Sequence, residues 1–345
     1  MHPGGSALMQ RAGACILGCS GPILTDAERR FFAGANPLGF ILFARNVRDP
    51  GQLRALTDSL RDAVGRAAPI LIDQEGGRVQ RLTAPHWRQW DTAEAQIAAV
   101  GPENAARAMY LRARLIGQEL ARAGIDVNCA PLGDLARPET HAILKDRCYG
   151  TDPATVAGIA RAVADGLLDE GVLPVLKHIP GHGRATVDSH LDLPRVTTPL
   201  SELEATDFAA FRALSDLPLG MTAHVVYDAL DAGAPVTTSR AAIRYVRDAL
   251  GFQGLLMSDD ISMQALSGSI AARSEASIRA GCDVVLHCNG DLAEMEQVAE
   301  ASGTLTDEAA IRAARALECR RPPVPGDGPA LMAELDAMPG QRRHA

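Results

Sequence analysis

Histidines concentrate in one short segment of the chain. Residues 177–190 read KHIPGHGRATVDSH and hold three of the nine histidines. Asp188 lies two residues before His190, close enough in a bent loop for the carboxylate to orient the imidazole and raise its pKa. The glycines and the proline shape the segment without a regular element. It predicts acid/base chemistry, and a metal site is the competing interpretation because His and Asp also bind metals.

Other charged residues follow apolar runs elsewhere in the chain. Residues 73–81 read DQEGGRVQR, which combines two acids and two arginines around a glycine pair and favours a binding loop. The MSDD segment contributes Asp259 and Asp260. Adjacent residues on a strand point to opposite faces, so we expect one of these two to enter a site and the other to cap the next turn. Arg147 completes the polar set together with His224, for which a structural and a catalytic role stay equally open.

Eight short apolar runs, each ending in polar residues, recur along the chain. Their continuous apolarity favours strands covered on both faces, as in parallel sheets. Helical patterns alternate with them: Ser201 and Glu204 predict a capping box for a helix ending near Leu214, and Ser239 predicts the cap of a helix that stops at Gly251. The predicted strands are 14–20, 38–46, 69–75, 125–131, 174–178, 218–224, 254–260 and 283–288.

This alternation predicts an α/β protein with one (β/α)8 TIM barrel. Two doubly wound domains are the weaker interpretation, because GCSGPIL lacks the third glycine of a dinucleotide-binding fingerprint. We expect residues 1–345 to form a single domain, with a short proline-rich tail from about residue 321. In such a barrel the catalytic residues lie where the strands end.

Composition limits the partners of the protein. The 34 basic and 42 acidic residues give a net charge of −8 without any Lys/Arg block, so we expect no nucleic-acid partner. The first residues lack the pattern of an export signal, and no apolar stretch is long enough to span a membrane. Seven cysteines are scattered without a paired framework, which predicts buried thiols in a reducing compartment.

Five ordered motifs between residues 41 and 263 carry a family resemblance. ILFARN, DQEGGRVQR, DRCYG, KHIPGHG followed by DSH, and MSDDISM resemble the single-domain bacterial β-N-acetylglucosaminidases (β-N-acetylhexosaminidases of the NagZ type) of glycoside hydrolase family 3. The resemblance implies an enzyme that removes terminal β-linked N-acetylglucosamine with retention, through a covalent glycosyl-aspartate. It also implies a cytoplasmic role in cell-wall recycling, with N-acetylglucosaminyl-1,6-anhydro-N-acetylmuramyl peptides as substrates. We expect no cofactor, no metal and a monomer.

The resemblance also assigns roles to residues. It implies that Asp259 is the nucleophile and His190 the acid/base, with Asp188 as the partner of that histidine. Two residues depart from the family's motif: Ile179 replaces a usual Phe, and Arg184 replaces a common Asp, which leaves open how the loop is anchored. Contacts to sugar hydroxyls and to the N-acetyl group are implied for Asp73, Arg81, Arg147, Lys177 and His178.

The implied histidine is chemically reasonable beside an aspartate nucleophile. Retaining glycosidases usually pair two carboxylates. An imidazolium titrates near neutral pH and does not repel the nucleophile. Larger relatives take their acid/base from a further domain absent from this sequence, which favours the N-acetylglucosaminidase over a broader β-glycosidase. A metal-dependent barrel hydrolase and a sugar-binding or scaffold protein on a degenerate barrel are the alternatives from other functional classes.

Overall fold

A closed barrel of eight parallel strands forms the centre of the protein. The computed structural model describes residues 12–186 and 193–340. Each barrel strand pairs with its neighbours in the chain, and the first pairs with the last. The predicted (β/α)8 TIM barrel is therefore confirmed. The strands are β1 (Gly13–Leu17), β2 (Pro37–Leu42), β3 (Ile70–Ile72), β4 (Val127–Asn128), β5 (Leu173–Ile179), β6 (Leu219–Thr222), β7 (Leu255–Asp260) and β8 (Val284–His287).

Two apolar layers explain why the strands are apolar throughout. Ile16, Leu71 and Met257 belong to the cluster inside the barrel. Leu17 and Ile72 alternate with them and pack against the surrounding helices. Because successive side chains of a strand point to opposite faces, a barrel covered by helices needs apolar residues at every position.

Helices follow the strands and cover the barrel. Ser239 accepts a hydrogen bond from the backbone N–H of Ala242 and caps its helix as predicted. Gly281, at φ 116°, ends another helix in the left-handed region that favours glycine. The helices are Asp26–Ala35, Pro50–Val64, Ala93–Val100, Pro102–Arg122, Ala142–Lys145, Pro153–Leu168, Leu200–Ala205, Asp207–Ala213, Arg240–Asp248, Ile270–Ala280, Leu292–Ser302, Asp307–Glu318 and Gly328–Asp336.

The predicted capping box at Ser201 is wrong. The helix begins one residue earlier, at Leu200, and follows Pro199, whose ring fixes a backbone angle suited to a helix start. Glu204 instead accepts a hydrogen bond from the Tyr245 hydroxyl at 2.7 Å. The single helix predicted to end near Leu214 is two helices, because the backbone leaves helical geometry at Thr206 (φ −125°, ψ −94°).

The last described residues pack on the outside of the barrel. After the helix that ends at Glu318, residues 319–327 contain no helix or strand. The Arg114 guanidinium binds the Val324 carbonyl at 2.8 Å, and Arg107 pairs with Glu334 on the final helix. In the described part of the chain, no helix has both the length and the apolarity to cross a membrane.

Candidate active site

A polar cavity of about 300 Å³ opens at the carboxyl ends of the barrel strands. It brings together six of the eight residues predicted for the site from the sequence. The other two, Asp188 and His190, lie outside the described residues, so their predicted roles are untested. The six predicted residues found in the cavity lining are Asp73, Arg81, Arg147, Lys177, His178 and Asp259.

Five charged side chains form a continuous cluster on one side of the cavity. Lys177 Nζ lies 2.9 Å from Asp73 Oδ1 and 2.6 Å from Glu75 Oε1. Asp73 also pairs with Arg81 at 3.0 Å. Arg147 binds both carboxylate oxygens of Glu75, at 2.8 and 2.7 Å. Three cations thus surround two carboxylates, and every side chain of the cluster is held by at least one oppositely charged partner.

The cluster keeps its acids ionised and its lysine protonated. Burial opposes the charged form of Asp73, but Lys177 and Arg81 hold its pKa well below the ordinary value. Burial likewise opposes ionisation of Glu75, yet Arg147 and Lys177 lower its pKa to about 2. Burial alone would lower the pKa of Lys177. The carboxylates of Asp73 and Glu75 raise it by more than burial lowers it, so the pKa lies above its ordinary value. At neutral pH the cavity therefore offers fixed charges to the hydroxyl and amide groups of a ligand.

A hairpin after β3 carries Glu75, and Asp73 and Arg81 lie directly before and after it. Its strands, Gln74–Gly76 and Val79–Gln80, pair antiparallel. Gly77 turns at φ 59°, in the left-handed region that favours glycine. The amide oxygen of Gln74 accepts from the backbone N–H of Arg81 at 2.9 Å and fixes the far arm of the hairpin. Buried Arg112, on the helix Pro102–Arg122, donates a hydrogen bond to the Glu75 carbonyl at 2.6 Å and supports the hairpin.

A buried carboxylate organises the histidines that follow β5. Asp134 Oδ2 lies 2.7 Å from His178 Nδ1, and its Oδ1 accepts from the backbone N–H of His182 at 2.7 Å. Burial opposes ionisation of Asp134, but the histidines lower its pKa, so the carboxylate accepts from His178 Nδ1–H. His178 Nε2 is then the ring nitrogen left for a ligand. Burial, reinforced by His178, lowers the pKa of His182 to about 4, which makes that ring neutral at pH 7.

The two aspartates that end β7 have different surroundings. Asp259 Oδ1 accepts from the backbone N–H of Asp260 at 2.8 Å. Burial raises the pKa of Asp259, whereas His224 and His178 lower it, and the net pKa lies below the ordinary value. Asp260 binds the Ser262 N–H and hydroxyl through its two carboxylate oxygens, as expected for a residue capping the turn. Both aspartates nevertheless line the cavity, because the β7–β8 register shifts before Asp260.

His224 has a structural position behind β7. Its Nε2 lies 3.0 Å from the Asp260 carbonyl oxygen, and its Nδ1 lies 2.7 Å from the Thr237 hydroxyl. A carbonyl oxygen only accepts, so Nε2 carries a proton. Burial lowers the pKa of His224. The histidine thus supports the backbone beside Asp259 and does not line the cavity.

Two buried acids of the site were not singled out from the sequence. Glu75 lies two residues after Asp73, and this spacing places both side chains on the same face of an extended segment. Asp134 follows the fourth barrel strand, where acids often serve a site. Both signals were present in the sequence, but neither residue has a charged partner close to it in the chain.

Metal coordination receives no support from the described side chains. Within residues 12–186 and 193–340, no group of three or more His, Cys, Asp or Glu side chains has a geometry that could hold a metal ion. The carboxylates nearest to the cavity histidines are instead occupied by cations, ring N–H groups and backbone N–H groups.

Comparison with known proteins adds an independent line of information. Residues 25–317 match the model of the glycosyl hydrolase family 3 N terminal domain. A beta-hexosaminidase of Alkalilimnicola ehrlichii is 40% identical over 287 residues, which cover 80% of this chain and 81% of the relative. A beta-hexosaminidase of Xanthomonas campestris is 36% identical over 306 residues, covering 86% and 90%. NagZ from Neisseria gonorrhoeae, solved with N-trifluoroacetyl-D-glucosamine, has a TM-score of 0.81 at 30% identity, covering 95% of each chain.

Proposed function

Because this chain belongs to glycosyl hydrolase family 3 and is a β-N-acetylhexosaminidase, we propose that it releases terminal non-reducing β-linked N-acetylglucosamine with retention, through a glycosyl intermediate on Asp259. The observation that carries the proposal is that Asp259, a half-buried aspartate with a lowered pKa, lines the same small cavity as the fixed charge cluster. A sugar held by the cluster would present its anomeric carbon to that aspartate. A carboxylate with a lowered pKa suits a nucleophile and not a general acid, because it carries no proton to donate.

The charge cluster would bind the sugar. The Asp73 carboxylate accepts hydrogen bonds from hydroxyl groups, while Arg81, Arg147 and Lys177 donate to hydroxyl or N-acetyl oxygens. His178 adds its Nε2 edge. Each of these side chains is already held by a charged partner, so binding requires little side-chain ordering.

Asp259 would attack the anomeric carbon as the glycosidic bond breaks. The departing oxygen takes a proton from His190, assisted by Asp188. His182 is a poor candidate for this step, because a ring with a pKa of about 4 carries no proton to donate at pH 7. In the second step His190 removes a proton from water, the water oxygen bonds to the anomeric carbon, and the bond to Asp259 breaks. Two inversions give retention.

We propose that the physiological substrates are anhydro-muropeptides. The enzyme would act on them in the cytoplasm, during peptidoglycan recycling. The seven cysteines are all free thiols, and six of them are buried, which supports a reducing compartment.

The stereochemistry of the released sugar tests the proposal directly. Purified protein is given aryl β-N-acetylglucosaminide, and proton NMR follows the anomeric signal; we expect the β-anomer first and the α-anomer only by mutarotation. The matching aryl β-glucoside is the specificity control, and we expect slower turnover because it lacks the N-acetyl group. First appearance of the α-anomer would exclude the glycosyl intermediate, and equal turnover of the glucoside would exclude the N-acetyl specificity.

A further inference from the structure

The chain that leaves β5 is anchored at several points before it reaches Asp188 and His190. We call residues 181–186 the loop stem. Its anchors come from the segment after β4 and from the segment after β6, and they bind mainly its backbone. Each anchor is a hydrogen bond. The Tyr227 hydroxyl donates to the Gly181 carbonyl, and the His182 N–H donates to Asp134. The Thr140 hydroxyl donates to the Gly183 carbonyl, and the His141 N–H donates to the Ala185 carbonyl.

Arg184 anchors the same stem through its side chain. Its Nε lies 2.7 Å from Asp207 Oδ2, and its Nη2 lies 2.8 Å from Glu202 Oε1. Nη1 lies 3.2 Å from the Thr198 hydroxyl. The Arg184 side chain is 13% exposed and that of Asp207 is 1% exposed. The guanidinium is therefore held by two carboxylates, of which Asp207 is buried and Glu202 is 52% exposed. The charge-assisted hydrogen bond to Asp207 lies in the drier environment, where such bonds are stronger.

Asp207 joins the loop stem to a second loop of the barrel. The same Oδ2 atom accepts from Arg137 Nη2 at 3.1 Å. Arg137 follows β4, Arg184 follows β5, and Asp207 begins the helix that precedes β6. One buried carboxylate thus connects three consecutive segments. Burial lowers the pKa of Arg184, but Asp207 and Glu202 raise it above the ordinary value, so its charge persists at any working pH.

We propose that Arg184, held by Asp207, is a positioning residue for the acid/base histidine. The inference rests on the proposed function of His190, which lies six residues further along the chain. Arg184 fixes the point from which the chain departs toward that histidine. Arg184 does not line the cavity, so its replacement leaves the residues of the charge cluster in place for the bound sugar.

This role has a kinetic signature that a purely structural role lacks. Proton donation matters most for a poor leaving group, such as another sugar, and little for a nitrophenolate. The ratio kcat/KM reports the step that breaks the glycosidic bond, so a displaced donor should lower kcat/KM for N,N′-diacetylchitobiose much more than kcat/KM for the nitrophenyl glycoside.

The experiment measures kcat and KM on both substrates for Arg184→Ala, Arg184→Lys and His190→Ala. For Arg184→Ala we expect kcat/KM on the disaccharide to fall by about 10- to 100-fold, the scale of a misplaced catalytic group. We expect kcat/KM on the nitrophenyl glycoside to change by less than about threefold. Arg184→Lys retains the charge but not the fork of donors, so it should recover part of the disaccharide activity.

Arg247→Ala is the matched control. Arg247 pairs with Asp283 at 2.7 Å, with side chains 12% and 4% exposed, nearly the same distance and burial as the pair of Arg184 and Asp207. Asp283 precedes β8, at the opposite end of the barrel from the cavity. We expect this variant to lose thermal stability while both substrates respond equally. Circular dichroism and the melting temperature confirm that each variant is folded.

The outcomes separate this inference from the proposed function. If His190→Ala discriminates between the substrates while Arg184→Ala and Arg184→Lys affect both equally, the positioning role is wrong and the acid/base role stands. If His190→Ala itself affects both substrates equally, the acid/base assignment fails and the positioning role fails with it. If Arg184→Ala does not fold, Arg184→Lys decides alone: equal loss on the two substrates overturns the inference.

Discussion

Replacement of Glu75 by Gln should be the most costly conservative change in the charge cluster. The variant keeps the size of the side chain but removes the charge that holds Lys177 and Arg147. Glu75 is 7% exposed on its side chain, and its oxygens lie 2.6 to 2.8 Å from both cations. Only Asp73 would remain to balance three cations.

The magnitude follows from the pKa of Glu75. Its fall from 4.5 to about 2 in the folded state corresponds to about 3 kcal/mol at about 1.4 kcal/mol per pKa unit. Breaking a buried ion pair typically costs about 3–5 kcal/mol, which agrees. Because the pKa is depressed by folding, this stability is fully present above pH 4.5 and is lost as the pH falls through about 2. About half should remain at pH 3.

Equilibrium unfolding in urea measures the effect. The free energy of unfolding of wild type minus that of Glu75→Gln should be about 3 kcal/mol at pH 7 and about half of that at pH 3. Glu334→Gln is the control, because Glu334 makes a similar two-atom contact with Arg107 but is 44% exposed. That variant should lose less than about 1 kcal/mol.

Two results would refute this reasoning. One is a loss below about 1 kcal/mol for Glu75→Gln at pH 7, which would place it with ordinary surface pairs. The other is a loss that does not change between pH 7 and pH 3, because the cost would then come from packing and not from the charge. Activity adds a third readout: we expect kcat/KM on the nitrophenyl glycoside to fall by about 10- to 100-fold, as hydrogen bonds to charged groups are lost.

Two further predictions concern the reacting groups. Asp259→Ala should abolish turnover of both aryl and disaccharide substrates without unfolding the protein, whereas Asp260→Ala, which removes a turn cap, should retain measurable turnover; the reverse order would exchange the two assignments. His190→Ala should slow the disaccharide much more than the nitrophenyl glycoside, and Asp188→Asn should do so more mildly, because the ring remains but loses its orienting charge. A uniform loss across leaving groups would contradict proton donation.

The barrel was predictable because its signal is local and repeated. Each strand, such as the run that ends at Ile72, is a short apolar stretch followed by polar residues, and eight repeats of the pattern permit few other arrangements. Helix ends that depend on one residue, such as Ser239, were also predictable. The break at Thr206 was not predicted; the residue after it, Asp207, pairs with Arg137 and Arg184, which lie far from it in the chain.

Site residues that belong to a recognisable motif could be predicted from the sequence. Site residues whose importance comes from charge pairs distant in the chain could not. Asp73, Lys177 and Asp259 were singled out as strand-end residues, and the structure places all three around one cavity. Their predicted roles stay predictions. Glu75 and Asp134 gain their importance from partners 72 and 44 residues away, and such pairings leave no trace in local spacing.

Arg184 departs from the family's motif, and its contacts explain why an arginine suits this position. An acid at this position would face buried Asp207, and two carboxylates so close would repel each other. With arginine here, the same carboxylate becomes an anchor, and Glu202 and Thr198 complete it. These partners lie 14 to 23 residues downstream, among 42 acidic residues that were all candidates from the sequence. The substitution is therefore understandable only as one member of a set, and we expect an acid at position 184 to be tolerated only when Asp207 is replaced as well.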